Sequence, residues 1–267
     1  MSRPRFIEEL SPDSLSKQLH DAGVTLGQPL HVAESTGSTN EDAVKAADHG
    51  AAHGSTFVAG EQTSGRGRLG RSWESPAHEN LYFSCVLRPS LPVDMVPTLS
   101  IAMGLAVRDA LAGLLPPSVF VGLKWPNDVL VDGKKVSGIL AEAAMLDMRC
   151  DYVVVGVGVN VAQREYSMAL RDRATSLALL GANVSRRDVL VACLTQMEKR
   201  LGELQQDGLL GMQGDIARWS VLRGKQVNIS GVAGQVVGID GRGRLQVRTA
   251  DGHVRAFGSG EASLHEP

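Results

Sequence analysis

What the chain lacks narrows it first. Its 267 residues hold three cysteines, Cys85, Cys150 and Cys193. An odd, widely spaced set of thiols argues against a disulfide framework or a zinc site and suggests a reducing compartment. Neither sign of charge dominates: 27 Lys and Arg stand against 29 Asp and Glu, a net of −2. A protein that binds polyanions over its whole surface would be basic, so any anion site must be local. No run of about eighteen apolar residues occurs, and no apolar segment follows Met1-Ser2-Arg3-Pro4-Arg5, so neither a membrane span nor a secretory leader is expected. These absences point to a soluble cytoplasmic protein. His49 and His53 share a helical spacing, but Gly50 and Gly54 break any helix there, and no metal site is expected. With 43% hydrophobic residues the chain can bury a sizeable core, as one large domain or one with a small appendage.

What is present centres on Glu61-Gln62-Thr63-Ser64-Gly65-Arg66-Gly67-Arg68-Leu69-Gly70-Arg71-Ser72-Trp73. Glycine lets the backbone approach a ligand, and each guanidinium offers a planar fork of donors to phosphate or carboxylate oxygens. Trp73 adds a flat face for a base or sugar. The spacing Gly65-x-Gly67-x-x-Gly70 fits a dinucleotide fingerprint only formally, because no helical pattern follows and Ser90 stands where an acidic residue is needed. No Gly-Lys-Ser/Thr follows, which excludes a P-loop. A solvated Gly/Arg segment that binds RNA stays open on this stretch alone.

Along the chain, a short helix is expected near Pro12 to Ala22, too little for a helix-turn-helix domain. A strand over 31–34 leads to Ser38-Thr39-Asn40-Glu41, where Ser38 and Glu41 have the spacing of a capping box opening a helix to Gly50. Ser38, Thr39 and Asn40 also gather polar groups where helix-start amides point, a place suited to the polar head of a ligand. Strands over 55–59 and 80–87 flank the Gly/Arg loop. A helix from Pro97 to Leu115, apolar almost all round, reads as buried.

The second informative region runs from Val119 to Asn160. Strands over 119–124 and 129–131 surround Trp125-Pro126-Asn127-Asp128, and Asp132-Gly133 signals a type I′ turn into a strand over 134–142. Strict alternation would place Lys135, Ser137 and Ile139 on one face and Lys134, Val136 and Leu140 on the other. One lysine should face solvent and the other point inward beside Gly138; two lysines guarding a sheet edge is the plainer alternative. The apolar run 152–160 reads as a central strand ending at Asn160, and its Gly156 and Gly158 suggest a close approach to the backbone there. Beyond it, Ser185 and Asp188 cap a helix to Gln206 whose Val189, Cys193, Met197, Leu201 and Leu204 face a core, and a further helix covers 209–220. Short strands follow over 225–229, 232–239, 243–248 and 253–257, with turns at Asp240-Gly241 and Asp251-Gly252, giving a small barrel.

Ser38-Thr39-Asn40, the Gly/Arg loop with Gln62, Lys124-Trp125-Pro126-Asn127-Asp128, Lys135-Val136-Ser137-Gly138-Ile139-Leu140 and Gly156-Val157-Gly158-Val159-Asn160 together resemble biotin protein ligases in order and spacing, over roughly residues 31 to 265. The resemblance implies an α+β fold: a catalytic domain like those of class II aminoacyl-tRNA synthetases and lipoate ligases over 1–222, with a mixed sheet flanked by helices, and an SH3-like barrel over 223–267. It also implies the monofunctional form without a DNA-binding domain, and no DNA or membrane partner.

The reaction so implied is ATP-dependent activation of biotin to biotinyl-5′-AMP and transfer to a lysine of a biotin carboxyl carrier domain. Bringing a carboxylate to a polyphosphate needs fixed cations, which Arg66, Arg68, Arg71 and Lys135 supply. By resemblance, Lys135, Arg68 and Arg66 are catalytic. Biotin would be held by Ser38, Thr39, Asn40, Gln62, Gly65, Arg66, Gly67, Arg68, Lys135 and Gly138. The nucleotide would meet Arg68, Arg71, Trp73, Asn127, Asp128, Lys135 and Asn160. Mg²⁺ is expected with ATP, held largely by its phosphates rather than by a protein cage. Ala174-Thr175-Ser176-Leu177 resembles a segment over the ligand, Gly258-Ser259-Gly260-Glu261-Ala262-Ser263-Leu264 resembles the family's C-terminal segment, and His265 stands where the family pattern has an Arg. A lipoate ligase, and a non-enzymatic nucleic-acid adaptor using the Gly/Arg loop, are the alternatives.

Overall fold

The computed structural model describes residues 9–147 and 149–264. Seven strands form the main sheet: β1 (Leu30–Ala33), β2 (Thr56–Ala59), β3 (Leu81–Leu87), β4 (Val121–Lys124), β5 (Asp128–Val131), β6 (Lys134–Leu146) and β7 (Arg149–Val159). Their order is β1-β2-β3-β7-β6-β5-β4. Only β1 and β2 run parallel, and α2 (Thr39–Asp48) is the crossover between them. The expected apolar run becomes the central strand β7, paired with β3 along one side and β6 along the other.

Both faces of this sheet are covered, which is why all seven residues of β3 are buried. On one face Leu81, Phe83, Cys85 and Leu87 join the apolar cluster filled by α3 (Thr98–Leu114) and α4 (Arg186–Asp207). On the other, Ala43 and Ala47 of α2 pack on Val86, Tyr152 and Val154. α1 (Pro12–Asp21) contributes Leu15 and Leu19 to the first cluster. Ser185 and Asp188 close the expected capping box on α4.

Two expectations fail for local physical reasons. Ser38 is the N-cap of α2 by position, but its side chain makes no capping bond; the N–H of the first helical residue, Thr39, is taken up by Gln62 Oε1 at 2.9 Å. The start of α2 is thus tied to the Gly/Arg loop, and Ser38 is left to the cavity. The strict alternation of β6 also breaks. Its register with β5 shifts, so that Val129 opposes Ser137 while Leu130 opposes Lys135, with Val136 as the extra residue. Parity changes across that bulge: Val136 and Ile139 both enter the core cluster, and Lys135 and Gly138 share a side. The turn before it has the expected form, with φ +49° at Asp132 and +76° at Gly133.

The second sheet is antiparallel, in the order β11-β10-β9-β8-β12, built from β8 (Gln226–Ile229), β9 (Val232–Ile239), β10 (Leu245–Arg248), β11 (Val254–Phe257) and β12 (Ser263–Leu264). Its Val227, Val236, Leu245 and Val247 belong to the same apolar cluster as α3 and β6. The Trp125 indole N–H donates to the Gly243 carbonyl at 2.9 Å, tying the loop after β4 to the β9–β10 turn. In that turn Gly243, not Gly241, takes the left-handed conformation, while Asp240 accepts the N–H groups of Arg242 and Arg244. The expected helix over 209–220 divides into a 3-10 turn, Leu209–Met212, and α5 (Gln213–Trp219). No helix among the described residues is long and apolar enough to cross a membrane. His265 lies outside the described residues.

Candidate active site

Two hollows adjoin where the Gly/Arg loop crosses the open end of β6 and β7, and Trp73 and Lys135 line both. The first is a narrow slot of about 60 Å³. Ser38, Thr39 and Asn40 reach it from the start of α2; Gln62, Arg66, Gly67, Arg68 and Trp73 come from the loop; Asn127, Lys135 and Gly138 complete the expected set. The second, of about 400 Å³, takes in Arg71, Asp128 and Asn160. Of the residues expected to touch a ligand, Gly65 alone lines neither. It forms the neck of the loop, where a Cβ would stand 2.5 Å from the Trp73 carbonyl oxygen and 2.6 Å from Ser75 Oγ. The Gly65 carbonyl accepts the Trp73 N–H at 2.9 Å.

One wall of the slot is a lattice of hydrogen bonds among uncharged side chains that ends on the Glu142 carboxylate. Thr39 Oγ1 lies 2.8 Å from Ser84 Oγ, Ser84 donates to Asn40 Oδ1 at 2.6 Å, and Asn40 Nδ2 donates to Glu142 Oε2 at 2.7 Å. On the other side Gln62 Nε2 donates to Ser75 Oγ at 3.0 Å. Glycine is required where these groups press on β7: a Cβ on Gly156 would lie 1.9 Å from Asn40 Oδ1, and one on Gly158 would lie 2.6 Å from the Trp73 ring. The close approach foreseen for these glycines is made by the protein's own side chains.

The cations, by contrast, are matched to carboxylates. Lys135 Nζ sits 2.6 Å from Asp128 Oδ1 and 5.0 Å from the centre of the Trp73 ring. Arg66 donates to Glu142 at 2.8 Å, and Arg71 pairs with Glu261 of the C-terminal sheet region. The hydrogen bond from Arg71 holds the Glu261 carboxyl below the usual carboxylate range, and the same contact raises Arg71. Arg68 is partly buried, and that burial lowers its guanidinium, with Asp128 and Glu261 opposing the shift. It donates to Asn127 Oδ1 at 3.2 Å, while Asn127 Nδ2 is spent on the Ile139 carbonyl at 2.7 Å.

Lys135 is held by backbone on both sides. Its N–H donates to the Arg173 carbonyl at 2.8 Å, and its carbonyl accepts the Thr175 N–H at 2.9 Å. Asn160 Nδ2 donates to the Thr175 carbonyl at 3.0 Å and reaches the Lys135 carbonyl at 3.4 Å. The segment from Ala174 therefore lies against β6 and braces the lysine, while Ser176 turns to the Gln163 carbonyl at 2.6 Å. Sequence reasoning missed Lys124, Gln163, Tyr166, Arg173 and Glu261, which line the larger hollow, and Glu142 behind the slot. Lys124 lies inside the Lys124–Asp128 motif and Glu261 inside the C-terminal segment 258–264; the others carry no spacing signal. Burial pushes the Tyr166 phenol up to about 12, so it stays protonated at neutral pH.

The arrangement offers polar recognition of a small uncharged head, a cation at the junction, and a larger bay beside an indole, lined by charges of both signs. Comparison with known proteins agrees. Residues 32–160 match the Biotin/lipoate A/B protein ligase family and residues 224–265 the Biotin protein ligase C terminal domain. The chain is 39% identical over 252 residues to the biotin--[acetyl-CoA-carboxylase] ligase of Mycobacterium tuberculosis, covering 91% of each. It is 32% identical over 240 residues to the bifunctional ligase/repressor BirA of Bacillus spizizenii, covering 87% of this chain and 73% of that protein. Among solved structures, the biotin protein ligase from Aquifex aeolicus in complex with biotin and ATP superposes with a TM-score of 0.76 at 33% identity, covering 88% of this chain and 98% of that one. With those motifs set in this fold around this pair of hollows, the chain belongs to the biotin protein ligase family.

Proposed function

We propose that the slot takes biotin, the larger hollow takes ATP, and the Lys135 ammonium between them is the charge on which the first reaction depends. The enzyme is a biotin–protein ligase, and its chemistry has two steps. A carboxylate oxygen of biotin attacks the α-phosphorus of ATP; the bond to the β-phosphate bridge breaks and pyrophosphate leaves. The amine of a carrier-domain lysine then attacks the acyl carbon of biotinyl-AMP, the bond to the phosphate oxygen breaks, and AMP leaves with the amine's proton passing to solvent. Both reactants of the first step are anions, so a cation within reach of each lowers the barrier by stabilising the charge that builds up between them.

One observation carries this reading: Lys135 lines both hollows and is the cation at their junction, braced by backbone on either side. Asp128 at 2.6 Å holds the ammonium before substrates arrive, and Arg68 supplies a second guanidinium on the slot side. Trp73 divides the hollows, with one ring edge over Gly158 and its face available to a base. Among the described residues no group of three or more His, Cys, Asp or Glu could hold a metal, so Mg²⁺ would enter on the ATP phosphates, with Asp128 one of the carboxylates that line the larger hollow. The acceptor is a biotin carboxyl carrier domain, and residues 1–222 and 223–267 are the catalytic and C-terminal units.

Biotin-dependent exchange of labelled pyrophosphate into ATP tests the reading. Exchange is expected with biotin and not with lipoate; exchange with lipoate alone, or with neither acid, defeats it.

A further inference from the structure

We propose that Glu142 is a positioning residue that fixes the hydrogen-bond polarity of the slot, an inference that rests on the reading of that slot as the biotin site. Glu142 does not itself line the slot. It stands behind Asn40, on β6, and accepts from two directions: Asn40 Nδ2 at 2.7 Å and Arg66 Nη2 at 2.8 Å.

The polarity follows by counting protons. An ionised carboxylate only accepts, so Asn40 must turn its NH₂ toward Glu142 and its oxygen toward Ser84. The Asn40 amide cannot swing aside, because the Gly156 backbone presses on it so closely that a Cβ there would come within 1.9 Å of Oδ1. Ser84 has one hydroxyl proton, and it goes to Asn40 Oδ1 at 2.6 Å. In the 2.8 Å contact between Thr39 Oγ1 and Ser84 Oγ, Thr39 must then be the donor. Its single proton serves Ser84 rather than Gln62 Oε1 at 3.1 Å, and Gln62 Oε1 is occupied by the Thr39 N–H at 2.9 Å. Thr39 Oγ1 therefore presents only lone pairs to the slot it lines. That is the face required by an N–H group of a cyclic urea, and it is wrong for a ligand offering only acceptors there. The same carboxylate also ties Arg66 to the floor, so one group both orients the slot and fastens the loop over it.

The test is calorimetric binding of biotin to the full chain without ATP. E142Q keeps the shape but can donate as well as accept, and Asn40 is no longer forced into one orientation. Biotin should bind about tenfold more weakly, the scale of one mis-set hydrogen bond to a charged group. N40D sets carboxylate against carboxylate and should weaken binding by roughly a hundredfold. In N40D/E142Q the amide introduced on β6 donates to the carboxylate introduced on α2, which still accepts from Ser84, so the polarity returns; affinity should recover to within about fivefold of wild type. S84A breaks the relay without touching a charge, and should cost about as much as E142Q. It answers the question independently should N40D not fold, with melting temperatures as the check on all variants. Wild-type affinity in E142Q or in S84A, or a double variant no tighter than N40D, overturns the proposal. Failure of the wild type to bind biotin would sink the reading of the slot, and the polarity proposal with it.

Discussion

The two hollows meet at one lysine but are built on different physics. The slot sets a fixed group of uncharged hydrogen-bonding side chains, Ser38, Thr39, Asn40 and Gln62, beside the cations Arg66, Arg68 and Lys135, against glycines too tight to admit a Cβ. The larger bay holds Arg71, Lys135, Asp128 and Glu261, charges paired with each other and partly open to water. The difference teaches how each ligand is read. A neutral head must be recognised by fixed geometry, since a misplaced neutral group gains little from a distance. A polyphosphate can instead displace counter-ions already in place, so its site needs charge more than rigid shape.

The junction is where breaking the comparison costs most. K135A should lower biotin-dependent pyrophosphate exchange by roughly 10²–10³-fold, the scale of losing one preorganised group that stabilises developing charge. Its far-ultraviolet circular dichroism should be unchanged, because the brace on Lys135 is backbone. Next comes G156A: a methyl 1.9 Å from Asn40 Oδ1 must displace that amide. The KM for biotin should rise at least about tenfold while the KM for ATP moves little, an effect expected of strain confined to one hollow. Steady-state kinetics with each substrate varied separately checks it, and equal changes in both would erase the proposed division.

Salt separates the hollows more gently. Raising ionic strength from about 0.05 M to 0.5 M should weaken ATP binding several-fold and biotin binding in the absence of ATP hardly at all. The smallest effect concerns Glu261. Its carboxyl titrates below the usual range because Arg71 donates to it, so the pair stabilises the fold above the unfolded carboxyl value and is lost as pH falls through the lowered folded value. E261Q should therefore show a flatter fall in melting temperature below about pH 4.5 than wild type. At neutral pH it should free Arg71 and lower the KM for ATP by no more than about threefold, as befits a largely exposed pair.

Much of this was legible in the residues. The Gly/Arg loop announced an anion site, and Asp132-Gly133 announced a hairpin whose observed positive φ values agree. The glycines of β7 marked close approach. What stayed hidden depended on pairing across the fold. Glu142 and Glu261 each meet an arginine of the loop from 76 and 190 positions away, and nothing in local spacing announces such a contact. The bond from the Thr39 N–H to Gln62 was hidden for the same reason, since it ties the start of α2 to a loop 23 residues on. The β6 bulge was invisible because alternation is the only rule a single strand supplies, while the extra residue is defined by its neighbour.

That bulge sets the chemistry by arithmetic. With Val136 left unpaired against its partner strand, the ammonium and the gap at Gly138 look the same way; remove one residue there and the amine turns out into water with every catalytic side chain still in the chain. An enzyme with all its reactive groups and none of its activity would be one codon away.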